Sequence, residues 1–256
     1  MDPLELAVEY LLATRWEDDE RVGQVTMSLA AMPQATLAEA TADDAARLAF
    51  WVNLYNAAVL RQPHHDFDSW AQRVAFFRRR ALTISGRAVS FDAIEHGILR
   101  RSRWKLALGF GSNPRPSRFE RSLRVTRIDP RVHFALNCAA ASCPPIAAYD
   151  ADRIDRQLDL ATRSYLATTV EVRADRVTIP RIFLWFAGDF GGPPGIRRFL
   201  RHHGIDGAGR KLRFGSYDWT PMPGRWAAEP ESEDPGSEDP GSEDPGSDES
   251  KAASGR

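Results

Sequence analysis

The segment ARLAFWVNLYNAAVL, residues 46–60, is apolar on nearly every side. A surface helix keeps one polar face, whereas a helix that is apolar all round is covered by its neighbours. We therefore expect a central core helix that ends near Leu60, with Thr41 as its N-cap. Asn53 and Asn56 lie on this helix three residues apart. Because buried amides need hydrogen-bond partners, we expect these two side chains to hold a neighbouring loop.

The end of the chain differs in composition from the rest. Residues 229–256 read EPESEDPGSEDPGSEDPGSDESKAASGR, with SEDPG repeated three times, ten acidic side chains, two basic ones and no aromatic one. Such a segment cannot bury enough apolar surface to offset the entropy of ordering it. We therefore expect one folded domain over residues 1–228 and a disordered acidic tail over residues 229–256.

Leaving out the tail reverses the sign of the net charge. The whole chain has a formal net charge of −1, whereas residues 1–228 carry +7 because the tail contributes −8. Arginine supplies nearly all of this positive charge, since Lys105 and Lys211 are the lysines of that part. An arginine-rich surface suits an anionic ligand or protein partner, and the alternative is a solvated face with no partner.

The N-terminal sequence MDPLELAVEYLLATRWEDDE lacks the basic region and apolar core of a signal peptide. No apolar run approaches the ~20 residues of a membrane span. Two cysteines in a chain without an export signal are expected to be reduced thiols. These features predict a cytoplasmic protein with no membrane span.

The apolar spacing predicts mainly helices, with short strands paired in hairpins. Helices are expected over residues 4–14, 21–31, 150–167, 181–186 and 196–202. Strands are expected in hairpins over residues 82–90 and 170–179, in a last strand over residues 212–214, and in a buried strand over residues 132–136. Long helices with short hairpins favour a mainly helical α+β fold over a parallel doubly wound sheet.

The run DPRVHFALNCAAASCPP, residues 129–145, holds both cysteines of the chain together with His133 and Asn137. A thiol, an imidazole and an amide are the parts from which nucleophilic sites are built. His133 and Asn137 share one face in a strand or a helix, but only a helix brings them within hydrogen-bond reach. The alternative for His133 is a core histidine whose hydrogen bonds are satisfied.

The two cysteines are expected to differ. On a strand, Cys138 would lie on the apolar face with Phe134 and pack as a small hydrophobic side chain. Cys143 precedes two prolines, which favour the start of a helix, and a thiolate is stabilised at a helix N-terminus. Cys143 is therefore the candidate nucleophile, and a structural thiol at a tight turn is the alternative.

A second candidate lies in SFDAIEHGILR, residues 90–100, which Ser90 is expected to cap as a helix. On that helix Asp92 and His96 are four residues apart, so the carboxylate can orient the imidazole as a general base requires. Glu95 is the alternative acid or base of this segment. A solvated polar helix face is the alternative to any chemical role.

The segments FWVNLYNAAVL, SFDAIEHGILR, DPRVHFALNCAAASCPPI, LWFAGDFGG and SYDW follow one another along the chain. In this order they resemble the sequence blocks of the domain of unknown function 547 family, from about Ala49 to Trp219. The resemblance implies no activity, because the family's name states that none is established. It places these residues at the family's motif positions: Asn53, Glu95, His96, His133, Asn137, Cys143 and Asp189.

These residues support three hypotheses about function. In a thiol-dependent hydrolase or transferase, Cys143 attacks a carbonyl, His133 or His96 takes the proton, and Asn137 orients or polarises. In a non-catalytic binding module, the arginine-rich surface contacts an anionic partner. A metal site formed by the two histidines with Cys138 and Cys143 has the least support, because no pair has zinc-like spacing. We expect no metal and no cofactor, and the sequence contains no phosphate-binding loop motif.

Overall fold

The computed structural model describes residues 1–63, 67, 69–105 and 107–227. The α-helices are α1 (Pro3–Arg15), α2 (Asp19–Ala31), α3 (Gln34–Ala40), α4 (Asp44–Leu60), α5 (Trp70–Arg78), α6 (Arg118–Leu123), α7 (Ile154–Thr169), α8 (Ile182–Trp185) and α9 (Gly192–His202). A π-helix spans Ala93–Leu99, and 3₁₀ helices span Pro130–Phe134 and Ala151–Arg153. The strands are β1 (Arg80–Ile84), β2 (Arg87–Ser90), β3 (Glu171–Val172), β4 (Arg176–Ile179) and β5 (Lys211–Phe214).

Helix α4 lies at the centre of the larger apolar core, as its sequence predicts. Every residue from Leu48 to Val59 is buried. Helix α1 packs along α4, α2 packs on α1, and the β1–β2 hairpin packs on α2. Burying one large apolar side chain stabilises a fold by about 1.5–3 kcal/mol, so this helix contributes strongly to stability.

A second core surrounds Phe134 and is built from side chains of α7, β4, α8 and α9. The rings of Phe183 and Phe199 lie 5.6 Å and 5.8 Å from that of Phe134, centroid to centroid. The two cores meet at the 3₁₀ helix Pro130–Phe134. Val132 belongs to the first core and Phe134 to the second, so His133 lies at their junction.

The strands form two small sheets, and each contains one of the predicted hairpins. β1 and β2 pair antiparallel around a turn at Ser85 and Gly86. β3 pairs antiparallel with β4, which pairs parallel with β5. The mainly helical α+β class, both hairpins and the last strand are therefore confirmed.

Two local expectations about capping and strand formation are wrong. Asp43, not Thr41, caps α4, since its side chain accepts a hydrogen bond from the amide of Ala46 at 2.9 Å. Residues 132–136 form no strand, because Asp129 caps a 3₁₀ turn there by accepting a hydrogen bond from the amide of Arg131 at 2.9 Å. A short apolar run fits a buried helical turn as well as a strand, and the capping residue decides between them.

The expected helix start at Cys143 is also wrong. The chain from Pro144 to Tyr149 follows a non-helical path, and Ile146 bridges to Trp226 in parallel orientation. The second of two consecutive prolines disfavours the helical conformation in the residue before it, so this pair favours a non-helical path. Any stabilisation of the Cys143 thiolate must therefore come from groups other than a helix terminus.

The expected acidic tail and the expected lack of a membrane span can be compared with the structure only within the described residues. The acidic tail, residues 229–256, lies outside the described residues. Within them, no helix has both the length and the apolar character that crossing a bilayer requires.

Candidate functional site

A cavity of about 730 Å³ opens where the two cores meet. Four side chains singled out from the sequence line it together: Glu95, His96, His133 and Cys143. Cys138 lines the same cavity. Its aromatic wall consists of Tyr55, Trp70, Phe77, Trp185, Phe186, Tyr217 and Trp219. A larger, more open depression of about 960 Å³ lies along α1, but neither a cysteine nor a histidine lines it.

The π-helix places Glu95 and His96 on the cavity wall, and Arg100 follows directly after its last residue. Ser90 begins this segment as expected, since its hydroxyl accepts a hydrogen bond from the amide of Ala93 at 3.2 Å. The amide of Arg100 donates to the carbonyl of Glu95, five residues back, at 2.8 Å. This wider turn is rare in proteins and occurs mostly as short segments at functional sites.

A fully buried ion pair between Arg100 and Asp189 lies behind the cavity. Arg100 donates to the two oxygens of Asp189 at 2.5 Å and 3.2 Å, and His133 Nε2 donates to Oδ2 at 2.9 Å. Burial raises the pKa of Asp189, but these hydrogen bonds outweigh burial and hold that pKa below its ordinary value. Asp189 is therefore an ionised acceptor that orients both neighbours.

Two glycines allow Asp189 to approach Arg100. Gly109 has φ +80°, and a Cβ there would lie 2.6 Å from Asp189 Oδ1. A Cβ on Gly188 would lie 2.3 Å from the backbone of Gly109. The segments around residues 109 and 188 thus pack backbone against backbone, and larger side chains would push the carboxylate away.

The hydrogen bonds determine which ring nitrogen of each histidine carries the proton. A guanidinium only donates, so His96 Nδ1 accepts from Arg100 Nη1 at 2.7 Å and the proton of a neutral ring lies on Nε2. The pKa of His96 is well below its ordinary value because of burial and the charges of Arg100 and Lys105. His96 therefore offers an N–H donor near neutral pH.

His133 has the opposite arrangement. Its Nε2 donates to Asp189, which leaves Nδ1 as the unprotonated nitrogen of a neutral ring. Among the described residues, none is hydrogen-bonded to this Nδ1. Burial lowers the pKa of His133 and Asp189 offsets only part of that shift. Phe186 stacks on the ring at a centroid distance of 3.9 Å and fixes its plane.

Glu95 is a buried carboxyl group with an unusual pKa. Burial raises this pKa to about 7, although the charges of Arg100 and Lys105 oppose the shift. The hydroxyl of Tyr55 donates to Oε2 at 3.4 Å. The group can therefore release or take up a proton near neutral pH, as a general acid or base requires.

The two thiols lie side by side and are both unbridged. Their sulfur atoms are 2.7 Å apart, and the backbone amide of Cys138 donates to Cys143 Sγ at 3.0 Å. The hydroxyl of Tyr217 lies 3.1 Å from Cys143 Sγ and 3.6 Å from Cys138 Sγ. Among the described residues, no imidazole is hydrogen-bonded to either thiol.

These contacts give the two thiols different pKa values. Burial raises the pKa of Cys143, but hydrogen bonds from Cys138 and Tyr217 outweigh burial and lower it to about 7. The pKa of Cys138 is well above its ordinary value, because of its hydrogen bond to Cys143 and burial. Cys143 is therefore the thiolate near neutral pH and Cys138 the thiol that donates to it.

Asparagine side chains hold the segment that carries the cysteines. Asn53 bonds both backbone groups of Tyr149, donating to the carbonyl at 2.8 Å and accepting from the amide at 3.0 Å. Asn56 donates to the carbonyl of Ala135 and accepts from the amide of Asn137. The expectation that Asn53 and Asn56 hold a neighbouring loop is thus confirmed.

Asn137 itself bridges across the cysteine loop. Its Nδ2 donates to the carbonyl of Pro144 at 2.6 Å, and its Oδ1 accepts from the amide of Ala139 at 2.6 Å. Both ends of the amide are therefore engaged by backbone close to the two thiols. Asn137 is buried and does not line the cavity.

Some of the expected partnerships differ in the structure. Asp92 Oδ1 is 3.6 Å from His96 Nε2, beyond ordinary hydrogen-bond length, and pairs with Lys105 Nζ at 2.8 Å instead. Arg100 is the actual partner of His96, and its position four residues further along the same segment was the available signal. Tyr217 was visible only as part of the late SYDW block.

The metal hypothesis is not supported by the arrangement of its four side chains. Within the described part of the chain, His96, His133, Cys138 and Cys143 do not bring three ligand atoms within 4.8 Å of one another. The group that meets this distance there lies elsewhere and consists of Asp159, His202 and His203. Arg131 already occupies one oxygen of Asp159 at 2.9 Å.

Over residues 39–166 the chain matches the family described as "Protein of unknown function, DUF547", and it belongs to that family. The matched range includes Glu95, His133 and Cys143 but ends before Asp189 and Tyr217. The resemblance noted up to residue 219 thus extends beyond the matched range. No curated protein and no solved structure matches the chain.

Proposed function

We propose that the chain is a thiol-dependent acyl-transfer enzyme, a hydrolase or a transferase, with Cys143 as its nucleophile. The observation that carries the proposal is the convergence of Cys143, His133 and Glu95 on one cavity. The thiol pKa of about 7 makes much of Cys143 a thiolate at neutral pH. The thiolate is the reactive form, and here neighbouring donors stabilise it without an imidazolium.

The reaction begins when Cys143 Sγ attacks the carbonyl carbon of an acyl substrate. The carbonyl oxygen then carries negative charge. The Nε2–H of His96, which has no hydrogen-bond partner among the described residues, donates a hydrogen bond to it. Collapse of this intermediate expels the leaving group, which takes a proton from Glu95. A thioester on Cys143 remains. Glu95 suits this role because its pKa of about 7 keeps part of the population protonated.

The thioester is released when His133 Nδ1 takes a proton from water or from an acceptor alcohol or amine. Asp189 holds the ring through Nε2, which fixes the tautomer and stabilises the imidazolium that forms. Asn137 acts as a positioning residue, because its amide holds the backbone on either side of the thiols. The sequence left open which histidine takes the proton. In this proposal His133 is the base, and His96 is the hydrogen-bond donor to the carbonyl oxygen.

The cavity wall indicates the chemistry of the substrate. Aromatic rings form much of the wall, and three cationic side chains, Arg73, Lys105 and Arg181, line it as well. Lys105 is paired with Asp92, whereas Arg73 and Arg181 have no carboxylate partner among the described residues. An acyl compound with a flat apolar body and one anionic group fits such a wall.

The test is acylation of the intact protein by aryl thioesters with and without a distal carboxylate, followed by mass spectrometry. We expect one acyl group on Cys143, faster acylation by the carboxylate-bearing probe, and no adduct on Cys143→Ser. His133→Gln should accumulate the adduct because deacylation slows. His202→Gln, which changes a histidine outside the cavity, is the matched control. Failure of every probe to acylate Cys143 would contradict the proposal.

The alternative is a non-catalytic module that binds an anionic ligand. Arg73 and Arg181, which have no carboxylate partner among the described residues, favour it. Binding of naphthyl phosphate, measured calorimetrically, separates the two functions. A binding module retains the ligand in wild type and Cys143→Ser but is never acylated. Arg181→Gln should weaken binding at least fivefold, whereas Arg213→Gln on β5 should leave it unchanged.

A further inference from the structure

Cys138 forms and breaks no bond in the proposed acyl-transfer steps, although its thiol donates to the nucleophile. The two sulfur atoms are 2.7 Å apart, whereas a disulfide bond is about 2.05 Å long, so closure needs a movement of less than ~1 Å. Both thiols line the cavity, which gives a small oxidant a route to them. A nucleophilic thiolate beside a second thiol is the arrangement found where oxidation ends in a reversible disulfide.

We propose that Cys143 and Cys138 form a peroxide-reactive pair, in which Cys143 is oxidised first and Cys138 resolves the product as an intramolecular disulfide. The substrate class is a hydroperoxide small enough for the cavity, such as hydrogen peroxide. This reaction is independent of acyl transfer and uses Cys143 in a second capacity.

The first step is attack of the Cys143 thiolate on one peroxide oxygen. A sulfur–oxygen bond forms, the oxygen–oxygen bond breaks, and the leaving alkoxide or hydroxide takes a proton to become an alcohol or water. Sulfur loses two electrons and the peroxide gains them, so Cys143 becomes a sulfenic acid. The donors at Cys143, the amide of Cys138 and the hydroxyl of Tyr217, keep the attacking sulfur ionised.

In the second step, Cys138 Sγ attacks the sulfur of the sulfenic acid. A sulfur–sulfur bond forms, the sulfur–oxygen bond breaks, and the proton of Cys138 leaves with the hydroxyl group as water. A dithiol reductant reverses the outcome by exchange. While the disulfide is present, Cys143 is not a nucleophile, so peroxide would switch off the proposed acyl transfer.

The loop is held in a way that favours this closure. Asn137 bonds the backbone of Ala139 and Pro144, one next to each cysteine. The amide of Cys143 donates to the carbonyl of Ala140 at 2.9 Å, which closes a turn between the thiols. The pair is therefore preorganised in the reduced state, and resolution need not wait for a large rearrangement.

The experiment treats the native full-length chain with hydrogen peroxide and follows the tryptic peptide 132–153, which contains both cysteines and no internal cleavage site. We expect the wild-type peptide to lose ~2 Da, with full recovery after dithiothreitol. Cys138→Ser and Cys138→Ala should instead gain about 32 or 48 Da at Cys143, as sulfinic or sulfonic acid. Cys143→Ser should show no disulfide and at least tenfold slower oxidation.

Three results would overturn the inference: disulfide-linked dimers, overoxidation of Cys143 in wild type, or equal oxidation rates in wild type and Cys143→Ser. The two serine variants are near-isosteric, and near-ultraviolet circular dichroism checks that each remains folded. A disulfide in a chain that no thioester acylates would sustain this inference and refute the proposed function alone. Acylation of Cys143 without formation of a disulfide would support the proposed function and refute this inference.

Discussion

The apolar core around α4 and the layer around the cavity are organised in different ways. The core consists of regular helices in which every residue from Leu48 to Val59 is buried. The cavity layer consists of a π-helix, a 3₁₀ helix and an extended segment, whose positions are fixed by Arg100, Asp189 and three asparagines. Apolar burial holds the first region, and directional polar contacts hold the second.

The difference shows how an irregular backbone can be as well defined as a helix. A buried polar group has few acceptable partners, so each hydrogen bond of the cavity layer specifies one geometry. The same property makes the layer sensitive to the loss of one partner, because the remaining group is left buried and unsatisfied. Loss of one buried polar partner should therefore cost as much stability as loss of apolar volume in the core.

The largest effect is expected for Asp189→Ala. It leaves Arg100 buried without a counter-charge, and we expect a loss of about 3–5 kcal/mol in the free energy of unfolding. This loss overlaps the expected cost of about 2–5 kcal/mol for Leu11→Ala in the apolar core. Urea denaturation measures both.

Asp155→Ala is the matched control for this comparison. Asp155 also pairs with an arginine, Arg131, but its side chain is 86% exposed. We expect a loss of less than about 1 kcal/mol there. Similar losses for Asp189→Ala and Asp155→Ala would mean that the buried ion pair does not organise the cavity layer.

An intermediate effect is expected for Glu95→Gln, and its sign depends on pH. The pKa of Glu95 rises from 4.5 to about 7 on folding, so the folded chain keeps a proton that the unfolded chain has lost between these values. Wild-type stability therefore falls as pH rises from about 4.5 to about 7. At pH 8 we expect Glu95→Gln to be more stable than wild type by about 1–3 kcal/mol.

At pH 4 most of the advantage of Glu95→Gln should vanish, because the wild-type carboxyl group is then neutral in the folded state and mostly neutral in the unfolded state. Urea denaturation at both pH values checks the difference. Glu39→Gln, which removes an exposed carboxylate, controls for the loss of one negative charge. An advantage independent of pH would show that burial of the charge is not its cause.

The smallest effect is expected for Tyr217→Phe. Removing the hydroxyl takes one donor from Cys143, so its pKa rises and less thiolate is present at pH 7. We expect alkylation of Cys143 by iodoacetamide to slow about three- to tenfold at that pH. Measuring the alkylation rate as a function of pH gives the pKa of Cys143 in each protein.

Tyr165→Phe serves as the control for Tyr217→Phe. The hydroxyl of Tyr165 donates to the carbonyl of Ser142, next to Cys143, at 2.8 Å, and so its hydrogen bond goes to the loop backbone. Alkylation of Cys143 in Tyr165→Phe should be as fast as in wild type. An equal loss in both variants would assign the effect to the loop and not to the hydrogen bond.

The sequence predicted the apolar core better than the cavity layer, for a physical reason. Helices are recognised in a sequence by periodic apolar residues, and the all-round apolar pattern of α4 identified the central helix. The same rules misread residues 132–136 and the prolines after Cys143, where one capping contact or one steric restriction outweighs periodicity.

For the site, residue chemistry identified more than residue geometry did. Glu95, His96, His133 and Cys143 were named from the sequence and line one cavity, but their partners were not recognised. Asp189 contacts His133 although the two are 56 residues apart in the sequence, and Tyr217 contacts Cys143 from 74 residues away. Such contacts depend on how the two cores assemble, and no local pattern records them.

The position of His133 at the junction of the two cores has a consequence for how the sequence can vary. Val132 anchors in one core and Phe134 in the other, so the imidazole between them takes its position from both. A change of volume in either core is passed to His133 through a single peptide unit on each side. The side chains next to His133 are therefore constrained by the site although neither needs to touch a substrate.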